Sequence, residues 1–86
     1  MIKLKIVKNR EYGEYEVVYM IDGKRSEPKT AYESTAEAAA DTLVTMIERD
    51  PRAELNEDKE TMKIMEKYRP DYPINEARKA FMKFAH

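Results

Sequence analysis

Cysteine is absent from this 86-residue chain, which excludes disulfide bonds and thiolate metal sites outright. Histidine occurs once, as His86, so a cluster of imidazole ligands cannot form. The chain has two glycines, Gly13 and Gly23, and both are isolated. A glycine-rich loop that cradles phosphate is therefore excluded as well. These shortages lead us to expect neither a metal ion nor a cofactor.

An excess of one charge is also lacking, because 16 basic residues stand against 17 acidic ones. A duplex-binding domain usually has a marked positive excess, since phosphate contacts supply most of its affinity. No apolar run is long enough for a signal peptide or a membrane span, and the segment Met1–Lys5 alternates lysine with apolar residues. We therefore expect a cytoplasmic location.

The first third of the chain has the pattern of strands. Apolar residues at every second position predict a first strand through Ile2, Leu4 and Ile6. A second strand has apolar residues on one face at Tyr15, Val17, Tyr19 and Ile21. The dipeptide Asp22-Gly23 then favours a type I′ turn into a third strand from Lys24 to about Tyr32. Pro28 cannot donate to a ladder, which predicts that this strand lies at a sheet edge.

Helical signals begin at Ser34. The sequence Ser-Thr-Ala-Glu matches a capping box and predicts Ser34 as the N-cap of a first helix that ends at Asp50-Pro51. Its apolar residues recur at helical spacing, at Ala36, Ala40, Leu43, Val44 and Ile47. A second helix is predicted from a start between Pro51 and Asn56 to about Tyr68. A third is predicted from about Ile74 to the end of the chain.

These elements predict one α+β domain over residues 1–86. Its expected architecture is a three-stranded antiparallel β-meander followed by three α-helices (βββααα), with the helices packed on one face of the sheet. A bare meander of this length could not bury its own apolar face, so the sheet and the helices should share one core. Phe81 and Phe84 give the third helix an apolar surface, which either closes this core or forms a homodimer.

No catalytic apparatus is evident in the sequence. Ser34 is explained as a cap, and Ser26 has no histidine with which to form a nucleophile–base pair. The acidic residues Glu57, Asp58 and Glu60 lack the regular spacing of a calcium loop and suit the N-terminus of a helix. We therefore expect a protein that is not an enzyme.

Candidate partner-binding residues combine tyrosine and arginine, which are enriched in interface hot spots. They are Arg10, Tyr12, Tyr15, Arg69 and Tyr72. The alternative is nucleic-acid binding, because aromatic stacking plus positive charge suits single strands. Its residues are Lys3, Lys5, Lys8 and Arg10 with the neighbouring tyrosines. Acidic residues at positions 11, 14 and 16 would cancel much of that field.

In its small size, its lack of catalytic residues and its strands-then-helices layout, the chain resembles the small accessory proteins of phages and other mobile elements. That resemblance implies an inhibitor, such as an anti-defence or anti-CRISPR protein, that occludes a partner's surface. We therefore expect a protein-binding module, with a small nucleic-acid-binding protein as the alternative.

Overall fold

The computed structural model describes residues 1–72 and has a mixed α+β architecture in that range. Its elements, in chain order, are β1 (Ile2–Asn9), β2 (Glu14–Ile21), β3 (Lys24–Arg25), a 3₁₀ turn (Glu27–Lys29), β4 (Ala31–Glu33), α1 (Ala36–Arg49), β5 (Ala53–Leu55) and α2 (Lys59–Tyr68). The general α+β class is as predicted, but the detailed βββααα layout is wrong. The described residues form five strands and two helices.

The β1–β2 hairpin follows the predicted alternation. Leu4 lies opposite Tyr19 and Ile6 opposite Val17, and all four side chains are buried in one core cluster. The other face of this hairpin carries residues of the opposite phase, such as Lys5 opposite Val18. Because side chains alternate along a strand, this pairing register gives the sheet a core face and an opposite face; we call the latter the open face, although Val18 on it is only 2% exposed.

The predicted third strand is broken into two pieces, β3 and β4, which both pair with β2 at the sheet edge. Asp22 and Gly23 have φ values of +50° and +82°, as the predicted type I′ turn requires. Continuing the register of β3 would bring Pro28 opposite Val17, but Ala31 occupies that position. The 3₁₀ turn therefore adds three residues to the edge.

At this break, Thr30 and Ser26 supply the hydrogen bonds that the backbone of β2 would otherwise lack. Its buried hydroxyl donates to the Ser26 carbonyl oxygen at 2.8 Å, and it accepts from the Tyr19 N–H at 3.5 Å. The Ser26 N–H donates to the Tyr19 carbonyl oxygen at 2.8 Å. The N–H and C=O groups of Tyr19 are thus both hydrogen-bonded, although no residue of β3 or β4 pairs with Tyr19.

Strand β5 was not predicted, because its residues were assigned to the approach of the second helix. Ala53 instead pairs in parallel with Ile2, and Leu55 with Leu4, so that β5 extends the sheet beyond β1. A three-residue strand shows too little periodicity to be recognised, whereas burial of Ala53 and Leu55 in the core holds it in place. The second helix consequently begins later than predicted, at Lys59.

The N-cap of α1 is Thr35 rather than the predicted Ser34. The Thr35 hydroxyl oxygen accepts a hydrogen bond of 3.1 Å from the Ala38 N–H, which is one of the free donors of the first turn. Both residues can cap a helix, and the extended backbone of Thr35 is the one that leads into the first turn.

Helices α1 and α2 both pack on the core face of the sheet, which agrees with the prediction for these two helices. The buried residues of α1 are Ala39, Ala40, Leu43, Val44 and Ile47. Helix α2 contributes Ile64 and Met65 to the same core cluster, and α1 and α2 contact each other. The predicted third helix from Ile74, and the dimer surface at Phe81 and Phe84, lie outside the described residues.

Candidate functional site

The broken sheet edge, residues 24–33, carries a cluster of polar side chains, and we call it the edge segment. Arg25 of β3 forms ion pairs with Glu16 of β2 and with Glu27 of the 3₁₀ turn. Its guanidinium also donates to the Tyr32 hydroxyl at 3.2 Å, and that hydroxyl donates to Glu27 at 3.1 Å. Four side chains from three strands and a turn are thus joined across the break.

This network presents an aromatic ring and a cation in a defined arrangement. Glu16 is only 8% exposed, whereas Tyr32 is 48% exposed. The hydrogen bond to Glu16 raises the pKa of the Arg25 guanidinium, although burial acts in the opposite direction. Because Tyr32 lies opposite Glu16 and Arg25 opposite Met20, both side chains belong to the open face. The arrangement is suited to contact with another surface.

A second polar group lies at the C-terminal end of α1. The Tyr19 hydroxyl donates to the Asp50 carboxylate at 2.7 Å, which lowers the pKa of Asp50 and raises the pKa of Tyr19. The other oxygen of Asp50 accepts from the Arg52 N–H at 3.1 Å. The ammonium of Lys29 lies 5.1 Å from the centroid of the Tyr19 ring, within cation–π range.

These residues line an open groove between α1 and the edge segment. Two adjoining hollows of about 640 and 460 Å³ form it, and they share Lys29, Met46 and Arg49. We call it the basic groove, after the cations of its larger hollow, which is lined by Tyr19, Lys29, Met46, Arg49, Asp50, Pro51 and Arg52. Its surface combines three cations, the carboxylates of Asp41 and Asp50, and an apolar centre.

Three of the predicted partner-binding residues lie near the β1–β2 turn. Arg10 and Tyr12 are exposed in the turn itself, and Tyr12 is 72% exposed. The turn is held by Asn9, whose side-chain oxygen accepts from the N–H groups at positions 11 and 12. Tyr15 is only half-exposed, because it lies on the core face and packs against the core with the Lys8 ammonium 5.8 Å from its ring.

The other two predicted residues, Arg69 and Tyr72, follow α2. The Arg69 guanidinium donates to the Asp41 carboxylate of α1 at 2.7 Å. Tyr72 is partly buried and packs against the hydrophobic core. Both side chains thus take part in joining the end of α2 to the rest of the domain.

The basic residues behind the nucleic-acid hypothesis are divided between the two faces of the sheet. Lys3 and Lys5 are on the open face, and the Lys3 ammonium lies 3.9 Å from a carboxylate oxygen of Glu54. Lys8 is on the core face beside Tyr15. The four cations therefore do not share one surface.

Sequence reasoning missed the residues of the edge segment and of the basic groove. The Asp22-Gly23 turn sets the register of Arg25, but the face on which Tyr32 lies also depends on the three-residue insertion at Pro28, which the sequence does not reveal. Lys29 lies in the 3₁₀ turn, Arg49 at the end of α1 and Arg52 in the connection from α1 to β5, and the three show no common spacing. Of these three residues, only Arg49 has a signal in the sequence, because it lies in the last turn of α1, on the polar face of the helix.

Among the acidic residues at the start of α2, Asp58 has a structural role as the N-cap of the helix. The Asp58 carboxylate caps α2 by accepting from the Thr61 N–H at 3.1 Å and from the Thr61 hydroxyl at 2.7 Å. Burial acts to raise the pKa of Asp58, but these bonds and one from Asn56 outweigh it and lower that pKa. Within residues 1–72, no group of three or more potential ligand side chains is arranged to hold a metal ion.

Comparison with known proteins leaves the geometry as the guide to function. No protein-family model, curated protein or solved structure matches this chain. In the part of the chain that the structure describes, neither helix has the length and apolar character needed to cross a membrane.

Proposed function

We propose that this chain is a non-enzymatic protein-binding module that acts by covering part of a partner's surface, as an inhibitor or adaptor does. The contact surface in this proposal is the open-face side of the edge segment, centred on Tyr32 and Arg25. The exposed turn with Arg10 and Tyr12 extends it. That turn adjoins β4, because Tyr15, just after it, pairs with Glu33.

The observation that carries the proposal is the bonding of Tyr32 and Arg25 to each other and to Glu27. Tyrosine and arginine supply much of the binding energy in protein interfaces. Side chains already held in one arrangement lose less conformational entropy when a partner binds. Carboxylates beside the cation make the surface mixed in charge, which favours a protein partner over the uniform negative charge of nucleic acid.

The supporting experiment is site-specific photo-crosslinking in extract of the natural source. A photo-reactive phenylalanine analogue replaces Tyr32 in one variant and Glu48 in the control. Glu48 is exposed on α1 and is not among the residues that line the groove beside the edge segment. We expect a discrete protein adduct at position 32 and none at position 48, followed by co-elution of the purified partner with the unmodified chain.

Nucleic-acid binding is tested in parallel by fluorescence anisotropy with a labelled single-stranded oligonucleotide at low salt, where phosphate attraction is strongest. Saturable oligonucleotide binding together with no protein adduct at position 32 would replace the proposed function by the alternative. Absence of both signals would contradict the proposed surface.

A further inference from the structure

Within the described residues, the basic groove has unpaired positive charge, although the formal net charge of the whole chain is −1. Arg52 is paired with Asp50, whose second oxygen is bound by Tyr19. Lys29 and Arg49 are different: among residues 1–72, neither has a carboxylate within ion-pair distance. Their charge remains positive although the C-terminal end of α1 offsets part of it, since a helix end carries only about half a unit charge.

The chemistry of the groove is not that of a simple anion site. Its centre is the partly buried side chain of Met46, and Pro28 and Ala31 continue this apolar strip along the second hollow. An occupant that combines negative charges with apolar side chains would match both features. A nucleic-acid backbone has one charge at every residue and would approach the carboxylates of Asp41 and Asp50 in the groove walls.

The dimensions of the groove set the size of the occupant. It follows α1 from Asp41 to Arg49, a stretch of about 13 Å at about 1.5 Å per residue. An extended peptide advances about 3.3 Å per residue, so about four residues span this length. Successive side chains of such a peptide point in opposite directions. Every second side chain can therefore contact the apolar strip at Met46, and the others can contact Lys29 and Arg49.

We propose that the basic groove binds an extended acidic segment of a partner protein, with Lys29 and Arg49 contacting its carboxylates and Met46 contacting an apolar side chain. This names a class of partner for the proposed protein-binding function and rests on that function. The groove lies on the helix-covered side of the edge segment. A partner that covers Tyr32 could therefore also place one extended segment in the groove.

The test is an NMR titration of the purified ¹⁵N-labelled chain with a synthetic peptide of about eight residues that alternates glutamate with leucine. A peptide with glutamine in place of glutamate is the matched ligand control, and a thymidine oligonucleotide represents the phosphate alternative. We expect amide shift changes concentrated in residues 28–31 and 45–52, and binding that weakens as salt is added.

Charge-reversal variants then assign the contact to the groove. Lys29→Glu with Arg49→Glu should weaken glutamate-peptide binding by about tenfold or more, because two ion pairs become repulsions. Lys59→Glu with Lys63→Glu changes the net charge equally on exposed positions of α2 and should leave affinity within about twofold. Both pairs are exposed, so thermal unfolding should show an intact fold for each.

Three results would overturn the groove proposal: equal weakening in both variants, tighter binding of the oligonucleotide than of the peptide, or no shift changes up to millimolar peptide. The titration needs no natural partner. It can therefore fail while crosslinking at position 32 succeeds, which would leave the protein-binding function standing without the groove. Peptide binding without any adduct at position 32 would instead contradict the proposed contact surface.

Discussion

The hydroxyl oxygen of Thr61 on α2 accepts a hydrogen bond of 2.9 Å from the backbone N–H of Ile6 on β1. Strand β5 ends opposite Leu4, and the Asn56 N–H donates to the Leu4 carbonyl oxygen just beyond it. The next N–H donor on that side of β1, that of Ile6, therefore has no strand partner. The side chain of Thr61 accepts its hydrogen bond in place of a strand. Thr61 is completely buried, so this donor has no access to water.

Replacing Thr61 by valine should lower the free energy of unfolding by about 1–3 kcal/mol, because the buried Ile6 N–H loses its acceptor and the Asp58 carboxylate loses a donor. Chemical denaturation measures the change. Thr45→Val is the matched control, since Thr45 is exposed and its hydroxyl donates only within α1, to the Asp41 carbonyl oxygen. Equal stability of the two variants would show that the Thr61 bond contributes nothing.

Leu43 should be one of the most sensitive positions of α1, because its large side chain is fully buried in the core between the helix and the sheet. Leu43→Ala should cost about 2–5 kcal/mol through lost apolar burial and the cavity that remains. The exposed substitution Glu48→Ala in the same helix should stay within about 0.5 kcal/mol of the natural chain. A cost for Leu43→Ala below about 1 kcal/mol would contradict the observed packing.

The pairing of Glu16 with Arg25 should be measurable as a coupling energy. Arg25→Met leaves the buried Glu16 carboxylate without its cation, and we expect a cost of about 1–3 kcal/mol, since solvent reaches part of Arg25. Adding Glu16→Gln to this variant should recover part of the loss. Independent, additive effects in the double-mutant cycle would mean that the two residues do not interact.

Asp50 should make stability depend on acid pH. Its pKa is lowered by the Tyr19 hydrogen bond, so its contribution is present above the unfolded-state pKa and is lost as pH falls through the folded-state pKa. Tyr19→Phe removes the donor, and the pKa of Asp50 should rise toward its ordinary value. Titration of the Asp50 carboxyl carbon by NMR checks this, with Asp58 as an internal reference that should not move.

How much of the fold was predictable varies with the range of the interactions involved. The strands β1 and β2, the Asp22-Gly23 turn and helix α1 were predicted, because alternation, turn chemistry and helical spacing are local properties. The cap of α1 was missed by one residue. Ser34 and Thr35 have equivalent capping chemistry, and only the backbone conformation at the end of β4 distinguishes them.

The candidate site was largely beyond sequence reasoning. Arg10 and Tyr12 were predicted and are exposed, whereas Tyr15, Arg69 and Tyr72 also take part in intramolecular packing or pairing. The open-face cluster depends on the insertion at Pro28. Three is an odd number, so the insertion moves Tyr32 from the core face, where the β3 register would put it, to the open face.

The sequence by itself determined an α+β architecture with a first hairpin, a turn at Asp22-Gly23 into an edge of the sheet, and one strongly amphipathic helix. Periodicity and turn residues act within a few positions and can be read without knowing what packs against them. Only the tertiary structure decided the parallel pairing of β5, the use of Thr61 as a strand substitute and the meeting of Lys29 with Arg49 and Arg52. Each of these joins residues far apart in sequence, and its stability comes from burial and pairing that exist only once the sheet and helices have packed together.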